Sequence, residues 1–187
     1  MLDGPGGVES TEMHSRGLAI RAALKPEVVM NYTIDNRRVE PQLIACVHRW
    51  ARLDQLSKVV PAACGASWNL AKKQGIKAGR NVAVYLDCDV GGEIKMEIGQ
   101  EVFEPFPSTN ELSCSSTPGG EVITTAHIGP YDRLGDAHQA LRQWAADHKR
   151  TFAGPNWELY GHWTDDPNAL RTDVFYLLTD DLQQAEP

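Results

Sequence analysis

Two stretches of eight residues, Ala78–Tyr85 (AGRNVAVY) and Ala153–Tyr160 (AGPNWELY), share one pattern at a constant offset of 75 residues. Both begin with Ala-Gly, carry Asn at the fourth position and end in Tyr. Self-similarity at a fixed offset is the signature of a structural repeat. We therefore expect two halves related by a pseudo-twofold axis.

The sequence on either side of these stretches predicts the same order of elements in both halves. Apolar residues at steps of three and four predict a helix over 133–148. Pro61 is expected in the first turn of the other helix, which Gly75 ends, because proline is disfavoured further inside. Trp68 with Trp144, and His48 with His127, are interpreted as corresponding pairs. The predicted elements are strand Leu43–His48, helix Pro61–Gln74 and strands Asn81–Asp87 and Glu93–Gln100, then strand Val122–Ile128, helix Arg133–His148 and strands Asn156–Trp163 and Thr172–Thr179.

These elements predict an α+β fold made of two strand-helix-strand-strand modules with antiparallel sheets around a central ligand cleft. Residues 1–40 are expected to form an N-terminal extension with a short helix at Met13–Leu24, and residues 41–187 the domain. Its halves span about 41–103 and 119–180, joined by a Pro-, Ser- and Thr-rich linker at 104–120.

The net charge of −7 argues against an exposed nucleic-acid-binding face. Residues 1–99 carry 13 Lys and Arg against 11 Asp and Glu, whereas residues 100–187 carry 5 against 14. The acidic second half favours cationic partners. No apolar run is long enough to span a membrane, and the N-terminus lacks a secretion signal. The expected location is the cytoplasm.

No metal or cofactor is predicted. The four cysteines show neither zinc-knuckle nor redox spacing, and no His-Glu-x-x-His string occurs. The glycine-rich phosphate-binding strings and a recognisable nucleophile context are also missing from the sequence.

Strand alternation places Asn156, Glu158, Tyr160 and His162 on one face of the strand. The opposite face carries the more apolar set, so we expect it under the helix and the Glu158 face in the cleft. A carboxylate beside tyrosine rings offers an organic cation both charge pairing and cation–π attraction. The ordinary alternative is a solvent-exposed strand glutamate.

Three strings resemble the GyrI-like effector-binding domains: His127-Ile128-Gly129-Pro130-Tyr131, Trp157-Glu158-Leu159-Tyr160 and Asp165-Asp166-Pro167. Such domains form the drug-sensing halves of MerR- and AraC-type regulators and also occur alone. The resemblance implies a cleft for lipophilic aromatic, often cationic, small molecules, with Glu158 as the counter-ion. It also implies multidrug binding, for sequestration or sensing.

The candidate ligand-binding residues combine the strand pattern, the repeat and this resemblance. Tyr85 corresponds to Tyr160, and Ala83 stands where Glu158 stands. For each aromatic residue, packing in the core is the competing interpretation. The candidates are Glu158, Tyr160, Tyr85, Tyr131, Trp50, Trp163, His162 and Phe175.

Two alternative functions stay open at this point. Some relatives of these domains hydrolyse reactive natural products, and Glu158 is the residue that would activate water here. The other alternative is a protein-interaction module that inhibits gyrase or partners a regulator. Direct DNA binding is not expected, because no DNA-binding domain is recognised before the module.

Overall fold

The computed structural model describes residues 31–88 and 91–180, which form an α+β fold as predicted. The predicted helix at Met13–Leu24 lies outside the described residues. None of the described helices is long and apolar enough to cross a membrane. The elements are β1 (Asp35–Val39), β2 (Leu43–Arg52), α1 (Leu56–Lys73), β3 (Ala78–Cys88), β4 (Glu93–Val102), β5 (Ser113–Ser116), β6 (Gly120–Ile128), α2 (Leu134–Asp147), β7 (Phe152–Tyr160) and β8 (Arg171–Leu178).

The eight strands form one antiparallel sheet in the order β1-β6-β8-β7-β3-β4-β2-β5. The two halves therefore join edge to edge, through β3 and β7. The outer strands are exchanged between the repeats: β1, which precedes β2, pairs with β6, and β5, which precedes β6, pairs with β2. The second of these strands lies within the segment predicted as a linker, and β1 lies within the predicted N-terminal extension.

The pseudo-twofold axis of the repeat passes between Ala83 and Glu158. These two residues correspond at the offset of 75 and are also directly opposed in the β3–β7 ladder. Opposed residues of antiparallel strands present their side chains on the same face. Tyr85 and Tyr160 therefore lie on that same face, one on each side of the axis.

Both helices pack on the face of the sheet that carries Glu158. Helix α1 contributes Val60, Ala63 and Cys64 to a core with Ala83 and Tyr85, and α2 packs in the same way over β6 and β8. The face expected to lie under a helix carries instead a separate cluster of buried residues from the strands, in which the Trp157 and Phe175 rings stack at 5.1 Å. Within β7 the alternation was predicted correctly, but the predicted strand runs three residues too far, since β7 ends at Tyr160, and the helix was assigned to the wrong face.

Helix α1 begins five residues before Pro61, so the prediction that proline marks its first turn was wrong. Because proline lacks the N–H group, the Ser57 carbonyl loses its usual partner one turn on, yet the helix continues to Lys73. Packing of the α1 face against the sheet outweighs this single missing bond.

Burial along the two helices repeats at an offset of 74 residues. Under this alignment Cys64 corresponds to His138. The predicted match of Trp68 with Trp144 does not hold, because these two residues are not 74 positions apart. Trp144 instead stacks on His148, with 3.9 Å between ring centroids. The predicted equivalence of His48 and His127 also fails, because His127 lies on the helix-bearing face and His48 on the other. The corresponding buried pairs are Val60 with Leu134, Ala63 with Ala137, Ser67 with Leu141 and Ala71 with Ala145.

Candidate functional site

A cleft of about 930 Å³ opens between the two helices, with the strands β3 and β7 as its floor. This volume is in the range of small-molecule pockets. Aromatic rings from both halves form much of the wall. They are Trp68, Tyr85, Tyr131, Tyr160 and Trp163.

Glu158 lies at the centre of the floor, and only 5 % of its surface is exposed. Its Oε2 atom accepts hydrogen bonds from the hydroxyl groups of Tyr85, at 2.9 Å, and Tyr160. Its Oε1 atom lies 2.8 Å from Nε2 of His138. Desolvating a carboxylate is costly unless such donors replace water. Three side chains from both halves do so here.

A series of hydrogen bonds links Arg142, Tyr176 and His138 to the carboxylate of Glu158. Arg142 donates to the Tyr176 hydroxyl oxygen at 3.1 Å, and this hydroxyl lies 2.9 Å from Nδ1 of His138. When the imidazole is neutral, these contacts fit the tautomer in which Tyr176 donates to Nδ1 and Nε2–H donates to Glu158. The chain of donors runs in one direction, from Arg142 to the carboxylate. Glu158 is thus the end point of hydrogen bonds that begin at the Arg142 guanidinium.

Among the residues that the structure describes, no lysine or arginine forms an ion pair with Glu158. Arg80 lines the cleft, but its Nε and Nη2 atoms bond the two oxygens of Glu101 at 2.9 and 3.0 Å. A bidentate pair of this kind neutralises the guanidinium. The cleft therefore presents a buried carboxylate whose partners on the described elements are Tyr85, Tyr160 and His138, with no lysine or arginine among them.

The two tyrosines that contact Glu158 are held in the protonated state. Burial, and then the adjacent carboxylate, raise the pKa values of Tyr85 and Tyr160 well above the ordinary value of 10.0. Burial and the same carboxylate raise the pKa of the Cys64 thiol to about 11. All three groups are thus neutral at physiological pH.

The Gly129-Pro130-Tyr131 turn brings a further ring to the cleft. Gly129 has a φ of 144°, which favours glycine where the chain leaves β6 for α2. Nε2 of the buried His127 lies 3.1 Å from the Pro130 carbonyl and supports the turn. Tyr131 then packs edge-on against Tyr160, with 5.7 Å between ring centroids.

Comparison with known proteins agrees with this architecture. The model of the GyrI-like small molecule binding domain matches residues 39–178. The chain belongs to the GyrI-like family. A search of curated proteins gave no match.

Solved structures share the fold of this GyrI-like chain at low identity. The EcmrR C-terminal domain has a TM-score of 0.68 at 17 % identity, covering 81 % of this chain and 99 % of its own. The structure of SAV2435 bound to tetraphenylphosphonium has a TM-score of 0.61 at 10 % identity, covering 84 % and 98 %. A hydrolase from Listeria innocua has a TM-score of 0.53 at 9 % identity, covering 79 % and 92 %.

Most of the predicted ligand-binding residues of this GyrI-like chain line the cleft, but two do not. Trp50 lies on the other face of the sheet, where Lys95 is 5.9 Å from its ring centroid. Phe175 is buried on that face against Trp157. Those that line the cleft are Glu158, Tyr160, Tyr85, Tyr131, Trp163 and His162.

Several cleft residues were not predicted from the sequence. His138 lies next to the buried stripe of α2, and its spacing alone does not show that it reaches Glu158. Trp68 was predicted only as a repeat position, and the structure places its half-exposed ring in the wall of the cleft. Cys64 is not among the predicted binding residues, yet it borders the cleft.

Proposed function

We propose that the cleft binds lipophilic aromatic cations, with Glu158 as their counter-ion. The observation that carries this proposal is the buried carboxylate on the pseudo-twofold axis, whose partners among the described side chains are two tyrosines and a histidine, with no lysine or arginine. An anion in an apolar environment gains more from a cation than it would in water. The electrostatics therefore favour a positive ligand over a neutral one of equal shape.

The ring arrangement supports the same ligand class. Trp68 and Trp163 stand at the mouth, about half and three-quarters exposed, whereas Tyr85 is buried on the floor. A cation seated above Glu158 would meet ring faces as well as the carboxylate, and each such contact adds about 0.5–2 kcal/mol. SAV2435, which shares the fold, binds tetraphenylphosphonium, a cation enclosed by four phenyl rings.

The test compares two probes on two variants. Tetraphenylphosphonium carries a positive charge, and triphenylphosphine oxide is an uncharged aromatic compound. Glu158→Gln keeps the shape and removes the charge, so we expect tetraphenylphosphonium to bind about 10–100-fold more weakly, the scale of a charge-assisted contact. Binding of the oxide should change less than about threefold. Calorimetry measures both.

Glu111→Gln is the matched control, because Glu111 is exposed and lies outside the cleft. Glu111→Gln changes the net charge by the same amount as Glu158→Gln. Because Glu111 lies outside the cleft, the affinities of this variant for both probes should equal those of the wild type. The proposal would be contradicted if Glu158→Gln weakened the binding of both probes equally, or the binding of neither. Intrinsic tryptophan fluorescence, to which Trp68 and Trp163 in the cleft wall contribute, gives an independent readout of occupancy.

Hydrolysis in the same cleft is a second candidate, favoured by the donor chain that ends on Glu158. A positioned carboxylate next to His138 is suited to accept a proton from water. A hydrolase from Listeria innocua shares the fold. Prolonged incubation with a reactive cyclopropane- or epoxide-bearing aromatic compound, followed by mass spectrometry, separates the two functions. A binding protein returns the compound unchanged, whereas a hydrolase adds one water in a Glu158-dependent manner.

A further inference from the structure

Three side chains that commonly bind metals meet on the face of the sheet opposite the cleft. Cys46 and His48 lie on β2, and Glu97 lies on β4. One ligand atom from each falls within 4.8 Å of the other two. Among the residues that the structure describes, this is the one such group of three.

The sheet itself brings these residues together. Cys46 and His48 are two positions apart, so their side chains share a face of β2. Glu97 is the cross-strand partner of His48, and its Oε1 atom lies 3.7 Å from Nδ1 of the imidazole. Cys46 is fully buried and His48 is exposed, so the group has a closed side and a side open to solvent.

Two serines on β5 orient the imidazole and the carboxylate. Nε2 of His48 lies 3.0 Å from the Ser113 hydroxyl oxygen, and the Ser115 hydroxyl donates to Oε2 of Glu97 at 2.6 Å. With these outer atoms occupied, the two atoms that face each other are Nδ1 of His48 and Oε1 of Glu97. Supporting hydrogen bonds of this kind characterise metal-ligating histidines and carboxylates.

We infer that Cys46, His48 and Glu97 bind one zinc ion. A thiolate, an imidazole and a carboxylate are the ligand types that zinc takes, at about 2.0–2.3 Å from the metal. Such distances require ligand atoms within roughly 4 Å of one another, so small side-chain rotations close the site. The two anionic ligands balance the charge of the dication. Water completes a tetrahedral set from the exposed side.

The ligand set also excludes the hard cations. Calcium and magnesium take oxygen ligands, of which this group offers one carboxylate. Burial, followed by the neighbouring Glu97 and Cys114, raises the pKa of Cys46 to about 12. The ion must therefore displace the thiol proton, as in other cysteine-containing metal sites.

The site is distinct from the cleft, and its occupation would have a structural effect. The ligands connect β2 with β4, and their serine partners belong to β5, the outer strand contributed by the second repeat. A ligand that binds only the folded chain stabilises it. Zinc should therefore raise the melting temperature, whether or not the cleft is occupied.

The experiment uses the full chain without a histidine tag. Competition with a chromophoric chelator measures zinc affinity and stoichiometry, and Co²⁺ serves as a spectroscopic probe. We expect one Zn²⁺ per chain, no competition from Mg²⁺, and a thiolate-to-Co²⁺ charge-transfer band. His48→Ala and Cys46→Ser should each weaken zinc binding at least tenfold, and Cys46→Ser should abolish the band.

Cys114→Ser is the control, because that thiol lies nearby on β5 but outside the group. It should leave affinity, band and melting temperature with zinc unchanged. His48 is exposed, so His48→Ala keeps the test valid if Cys46→Ser unfolds. Zinc binding that is absent, or equally strong in His48→Ala, overturns the inference.

Discussion

The two halves of the sheet place different residues at corresponding positions around one axis. Where the second half has Glu158 on the floor and His138 on the helix, the first half has Ala83 and Cys64. In the first half the polar contacts stay internal: the buried Gln100 donates to the Cys64 carbonyl and accepts from Ser67. These hydrogen bonds connect α1 to the sheet and are not directed toward a ligand.

In the second half, the position that corresponds to Gln100 is Tyr176, which directs its hydroxyl to His138. The same frame thus serves two purposes. One half supplies a rigid wall, and the other directs a chain of donors to a single carboxylate. A symmetric pair of glutamates at the axis would repel each other, because like charges a few ångströms apart are costly. Breaking the symmetry gives the cleft a single carboxylate at the axis.

The largest expected effect on stability comes from the difference between β4 and β8 in the space available to a side chain. A Cβ atom at Gly99 would lie 1.8 Å from the Ala45 carbonyl oxygen, whereas the second half carries Phe175 at the corresponding register. Gly99→Ala should lower the free energy of unfolding by about 3 kcal/mol, because the backbone of β2 must move. Urea denaturation measures this.

The matched control is Gly65→Ala in α1, where an added Cβ meets nothing within 4 Å. It should raise stability by about 0.5–1 kcal/mol, since alanine is the better helix former. A loss of less than about 1 kcal/mol for Gly99→Ala would show that the first half accommodates a side chain as the second does.

Moving the carboxylate across the axis tests the asymmetry at the site. Glu158→Ala alone should weaken tetraphenylphosphonium binding at least tenfold, or about 1.4 kcal/mol. Adding Ala83→Glu should recover part of this loss, because Tyr85 and Tyr160 flank the axis from both sides. Recovery should be incomplete, since Cys64 replaces His138 as the helix neighbour.

Calorimetry on the wild type, the single variant and the double variant measures this recovery. Circular dichroism confirms that each chain is folded. A double variant that binds no better than Glu158→Ala would mean that His138, and not the axial position, is decisive.

The smallest expected effect concerns Tyr85 and Tyr160, for which the proposed symmetry predicts the same contribution to the pH dependence of stability. Both pKa values are raised in the folded state, so the stability they contribute is present below pH 10 and is lost as pH rises. The free energy of unfolding should fall by about 1 kcal/mol for each of the two tyrosines between pH 10 and 11. Tyr85→Phe and Tyr160→Phe should each flatten the decline by that amount. A profile parallel to that of the wild type would contradict the expectation for that residue.

Local patterns were sufficient for the repeat, the order of the two helices and of six of the eight described strands, and much of the cleft. Alternation along a strand is a local property, so Glu158 and Tyr160 could be placed together from sequence. The offset of 75 then placed Tyr85 on the same face. The resemblance to GyrI-like domains supplied Tyr131.

Contacts between elements that are distant in the sequence could not be predicted from these local patterns. The face that a helix covers depends on how the halves join, and an edge-to-edge sheet put both helices over Glu158. Trp50 and Phe175 were misplaced for the same reason. The bond from His138 to Glu158 and the approach of Glu97 to His48 join separate elements, and no short motif encodes either.

The exchange of outer strands makes this chain resemble a domain-swapped dimer whose two subunits are covalently joined. The paired residues of β1 and β6 lie 81 to 89 positions apart in the chain. Such pairings form late, because a long loop must close first, so folding should be slow and cooperative. Neither repeat completes its sheet alone. A chain cut between β4 and β5 would leave two pieces, each holding one strand of the other.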